Sequence, residues 1–182
     1  DIGRGNLNLR RVLVNPDNLK IIYVGSSNAV LKSEDAGVSW RNILFVRGQN
    51  PSVNFLALDP QNKNSIYAGT TGGLFYSPDQ GKVWSRVFKG KNYSESECTA
   101  LAVLPSGIYL GTKAGLFLSK DKGRSWYRER GSIGNRQMLA IVYSLREPNY
   151  VYVACIDGIF KTQDAGKGWE RVFIASPTED DN

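Results

Sequence analysis

The sequence predicts an all-β chain in which a unit of four short antiparallel strands is repeated four times. Three observations predict it. The frame Ser/Thr-x-Asp-x-Gly-x-x-Trp occurs at Ser33–Trp40, Ser77–Trp84, Ser119–Trp126 and Thr162–Trp169, and its Asp residues stand 44, 42 and 43 positions apart. All four tryptophans of the chain occupy the same place in that frame, so an internal repeat is the first conclusion. Between the frames, short runs rich in β-branched and aromatic residues alternate with Gly, Pro, Asn and Asp. No segment sustains a helical period.

The first strand of each unit is apolar and ends at a turn residue: residues 11–16, 53–60, 100–105 and 139–144. The second carries a Tyr at one position in every copy: Tyr23, Tyr67, Tyr109 and Tyr152, within 21–25, 65–69, 107–111 and 150–154. The third runs over 29–32, 73–76, 115–118 and 158–161, and the repeated frame turns it back. The fourth is expected to begin at the Trp and to run to Leu44, Phe88, Glu129 and Phe173. A unit of about 40 to 45 residues with four antiparallel strands is the signature of a β-propeller blade.

The frame has a physical logic. An Asp carboxylate can accept the amides of its own turn. Gly two residues later permits positive φ. The Ser or Thr hydroxyl can tie the incoming strand to the turn. The Trp covers the turn and packs between blades. Four identical sites point to architecture and not to catalysis or calcium binding. The structural set is therefore Ser33, Asp35, Gly37, Trp40; Ser77, Asp79, Gly81, Trp84; Ser119, Asp121, Gly123, Trp126; and Thr162, Asp164, Gly166, Trp169.

The chain of 182 residues has room for one domain with a real core. Blades are placed at about 6–47, 48–89, 90–130 and 131–174. Arg4-Gly5 matches Arg47-Gly48, Lys89-Gly90 and Arg130-Gly131 in phase. Residues 1–5 thus read as the end of a preceding blade, and residues 175–182 as a polar tail. This predicts a partial propeller, or half of a larger ring. The alternative is that residues 1–9 fold back as a strand that closes the ring.

The frame, preceded by Gly-Leu-Phe or Gly-Ile-Phe as at Gly115–Phe117 and Gly158–Phe160, resembles the Asp-box, or BNR repeat. The resemblance covers nearly the whole chain. Asp-box propellers include sialidases, xyloglucan-type glycoside hydrolases, sortilin-type sorting receptors and photosystem II assembly factors of the Ycf48 type. The segment Gly115–Trp126 is closest in flavour to the last group and to the xyloglucanases. The resemblance implies that the Asp-box is structural and lies away from the functional site. It also implies an exported setting, periplasmic, envelope-associated or extracellular.

Function is less legible, because a fold hosts many functions. The chain contains no His, so the usual imidazole base is missing. Cys98 and Cys155 lack metal-ligand spacing and read as buried free thiols. No phosphate loop or dinucleotide fingerprint occurs. No cofactor or metal is expected. The net charge of +6 directs attention to the face opposite the Asp-boxes, where inter-blade links and the turns between second and third strands emerge. Arg47, Lys89, Lys91, Lys113, Arg130 and Arg136 are the candidate binding residues there, with Arg4 and Arg10 on the same face. Glu95, Glu97, Glu129 and Asp157 are the acidic counterweights.

The expected function is a non-catalytic assembly scaffold whose partner is a protein with an acidic surface. A second copy of the chain, or further blades, is expected to close the ring. The alternative is a glycoside hydrolase fragment or a carbohydrate-binding propeller. It would use Glu95, Glu97 or Asp157 as paired carboxylates, with Tyr93 or Phe45 as a sugar platform. No Arg-Ile-Pro of the sialidase type is present. Nucleic acid is not an expected partner, since aromatic residues fall at core phases and are not interleaved with Arg.

Overall fold

The structure is a computed structural model that describes residues 8–144 and 146–175. The expected remnant or closing strand at the start, and residues 176–182 of the polar tail, lie outside the described residues.

Among the described residues sixteen strands form four separate four-stranded antiparallel sheets. Blade 1 contains β1 (Arg11–Val14), β2 (Ile22–Gly25), β3 (Ala29–Ser33) and β4 (Arg41–Phe45). Blade 2 contains β5 (Val53–Asp59), β6 (Asn62–Thr70), β7 (Gly73–Ser77) and β8 (Ser85–Phe88). A four-residue helix, α1 (Tyr93–Ser96), leads into blade 3, with β9 (Cys98–Leu104), β10 (Gly107–Thr112), β11 (Gly115–Ser119) and β12 (Tyr127–Arg128). Blade 4 contains β13 (Met138–Tyr143), β14 (Val151–Cys155), β15 (Gly158–Thr162) and β16 (Glu170–Ile174). Each sheet is a meander in chain order, because short turns join only antiparallel neighbours. The four sheets are blades of a β-propeller.

Two local details depart from the sequence reading. The fourth strands begin after the Trp and not at it. The Trp40 indole N–H donates to the Gly37 carbonyl at 3.0 Å, and Trp126 does the same to Gly123 at 3.1 Å, so these side chains belong to the loop. The helix α1 is too short to leave a periodic signal. It is set by the Asn92 side chain, which caps the Glu95 N–H at 3.0 Å.

The first strands of successive blades lie side by side, β1 near β5, β5 near β9 and β9 near β13, which makes them the inner strands. The apolar layer between blades is built mainly from second and third strands, with residues of first and fourth strands joining it. Between blades 2 and 3, Tyr67, Leu74 and Phe88 meet Val103, Ile108 and Phe117. Between blades 3 and 4, Tyr109, Leu116 and Leu118 meet Val151, Val153 and Phe160. Tyr23, Tyr67 and Tyr109 are buried, yet Tyr152 is 38% exposed. The side chain is the same in each copy. The difference is that Tyr152 stands on the outer face of blade 4, where no described blade follows.

The glycines of the frame in blades 2, 3 and 4 are each seated on the strand wall of the blade before. A methyl group at Gly81 would lie 2.4 Å from Ile43 Cδ1 of blade 1, one at Gly123 3.0 Å from Val87 Cβ of blade 2, and one at Gly166 2.8 Å from Leu118 Cδ2 of blade 3. A methyl at Gly37 would meet only Trp40 of its own loop, at 3.7 Å. All four have positive φ, from 85 to 94°. Gly37→Ala therefore carries the backbone penalty alone, about 1–2 kcal/mol. Gly81→Ala adds overpacking against Ile43, about 1–3 kcal/mol more. Urea midpoints of the two variants check this ordering.

Candidate functional site

The Asp-box loops are the best-defined constellation in the molecule. In blade 1 the Ser33 hydroxyl donates to Asp35 Oδ1 at 2.8 Å and accepts the Gly37 N–H at 2.8 Å. Asp35 Oδ1 accepts the Ser39 N–H at 2.9 Å. The same pattern holds at Ser77–Asp79–Gly81, Ser119–Asp121–Gly123 and Thr162–Asp164–Gly166. The residue between Asp and Gly is also left-handed in every copy, with φ of 60, 61, 59 and 57° at Ala36, Gln80, Lys122 and Ala165. Its N–H reaches back to the carbonyl of a residue near the start of the second strand in three blades: Ala36 to Lys20, Gln80 to Asn64, and Ala165 to Asn149. The loop is a closed hydrogen-bonded knot with its carboxylate consumed inside it.

Those bonds hold the carboxyls acidic. The Ser39 hydroxyl and backbone N–H bring Asp35 down to about 2, and the Ser125 pair does the same for Asp121. At this position blades 2 and 4 carry Val83 and Gly168, which offer only the backbone N–H. Asp79 is lowered by the Val83 N–H and the Ser77 hydroxyl, and Asp164 by the Thr162 hydroxyl and the Gly168 N–H. Folded values below the unfolded one of about 3.9 give stability that is present above pH 4 and lost as pH falls toward 2. The urea midpoint is expected to hold from pH 7 to 5 and drop between pH 4 and 2. Asp121→Asn is expected to flatten that drop. The midpoint measured at half-unit pH steps checks both.

The opposite face is built by the inter-blade links and the turns between second and third strands. These are tied together by backbone bonds: Thr71 N–H to the Ser52 carbonyl, and Lys113 N–H to the Glu97 carbonyl. The structure divides the candidate cations on this face. Arg47, Lys89 and Lys91 come together around one open groove. Lys113 pairs with Glu97 at 2.9 Å, and Arg136 holds Asp157 with both carboxylate oxygens at 2.9 Å. Arg130, on the link after β12, does not line that groove but borders a second opening that Lys91 also lines.

The acids of this face are committed too. Glu95 is buried, accepts the Lys91 backbone N–H and pairs with Arg128 at 2.9 Å. Asp157 is paired by both Arg136 and Arg171. Burial pushes its carboxyl up, but the hydrogen bond and charge of Arg136 and the charge of Arg171 outweigh this and hold it below the usual range. Glu129 is pushed up by burial, beside Trp169 of the next blade. Among the described residues no group of His, Cys, Asp and Glu is arranged to hold a metal ion. Cys98 and Cys155 are buried free thiols, and burial pushes them up to about 12 and about 11, so both are inert. Tyr93 borders the groove, and Phe45 stands exposed at the end of β4.

One residue of the groove was missed by the sequence reading. Arg86 of β8 also lines it. The signal was present: Arg occurs at the second position of β8, β12 and β16, as Arg86, Arg128 and Arg171.

The four meander blades define the class of fold, a β-propeller, with the same Ser/Thr–Asp–Gly knot closing each blade. Known structures share that fold. The chain is similar to an ancestral GH74 enzyme (25% identity, TM-score 0.71, over 93% of this chain and 24% of that one). It is similar to YCF48 from Cyanidioschyzon merolae (14% identity, TM-score 0.66, over 96% of this chain and 58% of that one). It also resembles the extracellular domain of a hybrid two-component system from B. thetaiotaomicron (14% identity, TM-score 0.72, over 100% of this chain and 23% of that one). The chain thus spans between about a quarter and three fifths of these proteins. No protein-family model and no curated sequence matches it.

Proposed function

We propose that this chain is a non-catalytic protein-interaction scaffold that works through the face opposite the Asp-boxes. The observation that carries the reading is the state of the carboxylates. Glycoside hydrolysis needs one carboxyl held protonated and a second poised beside it. Glu95, Glu97 and Asp157 are instead each paired with Arg or Lys. The free chemistry on that face is cationic, at Arg47, Lys89 and Lys91, and it suits an acidic protein surface. The hydrolase reading has GH74 neighbours in its favour. A carbohydrate ligand goes with it, and the exposed Tyr93 would serve as its platform. An extracellular neighbour supports an exported setting.

The test is proximity labelling in source cells. Reversal of Arg47, Lys89 and Lys91 to Glu is expected to abolish labelling of the partner. Reversal of Lys82, Arg124 and Lys167, which stand on the Asp-box loops, is expected to retain it. No turnover is expected on an aryl-glycoside panel. Hydrolysis that is lost in Asp157→Asn would overturn the reading in favour of the enzyme.

We also propose that a further blade covers the outer face of blade 4. Val172 occupies the position at which Ile43 and Val87 receive the next Asp-box glycine, and it is exposed together with Tyr152. A solution mass of two chains that falls to one in Tyr152→Asp/Val172→Asp assigns the cover to a second copy. A single-chain mass unchanged by these substitutions rules that out.

A further inference from the structure

The fourth strand of three blades carries an arginine opposite a phenylalanine of the third strand: Arg86 opposite Phe75, Arg128 opposite Phe117 and Arg171 opposite Phe160. In blades 3 and 4 this arginine is consumed by the fold. Arg128 donates to the Ala114 carbonyl, pairs with Glu95 and stacks 5.7 Å from the Phe117 ring centre. Arg171 donates to the Asp157 carbonyl, pairs with the Asp157 carboxylate and stacks 5.7 Å from Phe160. Among the described residues Arg86 has no ion pair and no side-chain hydrogen bond.

The sequence shows why. The turn before β7 has Gly72 where the turn before β15 has Asp157, and neither Thr71 nor Gly72 is acidic. Val53 and Cys98 hold matching registers, opposite Thr70 and Thr112. Counting back from them, Asn50 stands where Glu95 stands one blade later. Both carboxylates that neutralise the sibling arginines are therefore absent from blade 2.

Arg86 instead lines a groove of about 360 Å³ with Arg47, Lys89 and Lys91, and no carboxylate lines it. Glu95 is turned away, onto Arg128 and the Lys91 backbone. The two arginines flank one glycine pair. A methyl at Gly72 would lie 3.9 Å from the Arg47 carbonyl oxygen, and one at Gly73 would lie 3.4 Å from Arg86 Cδ. Gly48, Gly72 and Gly90 leave three positions of the groove wall without side chains, so an extended backbone can come close there.

We infer that this groove binds successive carboxylates of an extended acidic peptide segment, with Arg86 and Arg47 as its two forks. The inference rests on the scaffold reading and names the chemistry of the partner. Guanidinium matches carboxylate in a two-pronged geometry. A compact phosphate would engage one or two of the four cations, whereas a run of carboxylates engages all of them. Single-stranded nucleic acid needs several stacking platforms, and the groove offers Tyr93 alone.

Fluorescence anisotropy with a labelled ten-residue Glu/Asp peptide tests it, using the whole chain at low salt. Arg86→Gln and Arg47→Gln are each expected to weaken binding about tenfold. Arg124→Gln removes the same charge from the opposite end of the blade and is expected to change it less than twofold. Urea midpoints of the three variants show whether each remains folded. Equal losses in Arg86→Gln and Arg124→Gln would overturn the inference, as would no binding by the wild type. Tighter, Arg86-dependent binding of a random oligodeoxynucleotide or of inorganic phosphate would overturn it as well. If the peptide fails while partner labelling still depends on Arg47, Lys89 and Lys91, this inference falls and the scaffold reading stands.

Discussion

Everything in this molecule depends on one small hydrogen-bonded knot pressed against a neighbouring sheet. The Ser or Thr hydroxyl bridges the Asp carboxylate and the Gly amide. That bridge holds two consecutive residues at positive φ. The resulting tight loop lets the glycine touch the side chains of the preceding blade. The Trp then fills the seam beside it. Trp126 bonds both its own Gly123 and the Val87 carbonyl of the blade before. Lys122 crosses the same seam to Asp59 at 3.3 Å. One loop therefore does two jobs, closing its own blade and docking it on the blade before.

This arrangement separates stability from recognition. The end of each blade that carries the knot has its Ser or Thr hydroxyl, Asp carboxylate and Gly amide mutually satisfied, and this core of the knot recurs in all four copies. The other end is made of links and turns whose sequences differ from blade to blade. Carboxylates neutralise arginines there in blades 3 and 4. In blade 2 they do not. A repeat protein can hold its architecture constant and vary chemistry only where the constraint is relaxed, and the groove around Arg86 lies at such a place.

The ends of the array show the same physics from the other side. Tyr152 and Val172 are copies of residues that are covered between blades, yet they are exposed. Burial in a propeller belongs to the seam between two blades and not to either blade. Each blade has one face that only a neighbour can cover.

The sequence by itself determined the repeat, the four-strand unit and the role of Ser-x-Asp-x-Gly-x-x-Trp. Those features are local: hydrogen bonds within eight residues and alternation along short strands leave a mark in the order of residues. The free, buried state of Cys98 and Cys155 was legible for a similar reason, since their spacing fitted no ligand set. Only the tertiary structure decided which charges remain free. Lys113, Arg136 and Arg128 are neutralised by acids 16, 21 and 33 residues away, and the order of residues does not show which of these approaches will occur. Arg86 looked like its siblings in sequence. It became distinct only when the fold showed that, among the described residues, no carboxylate reaches it.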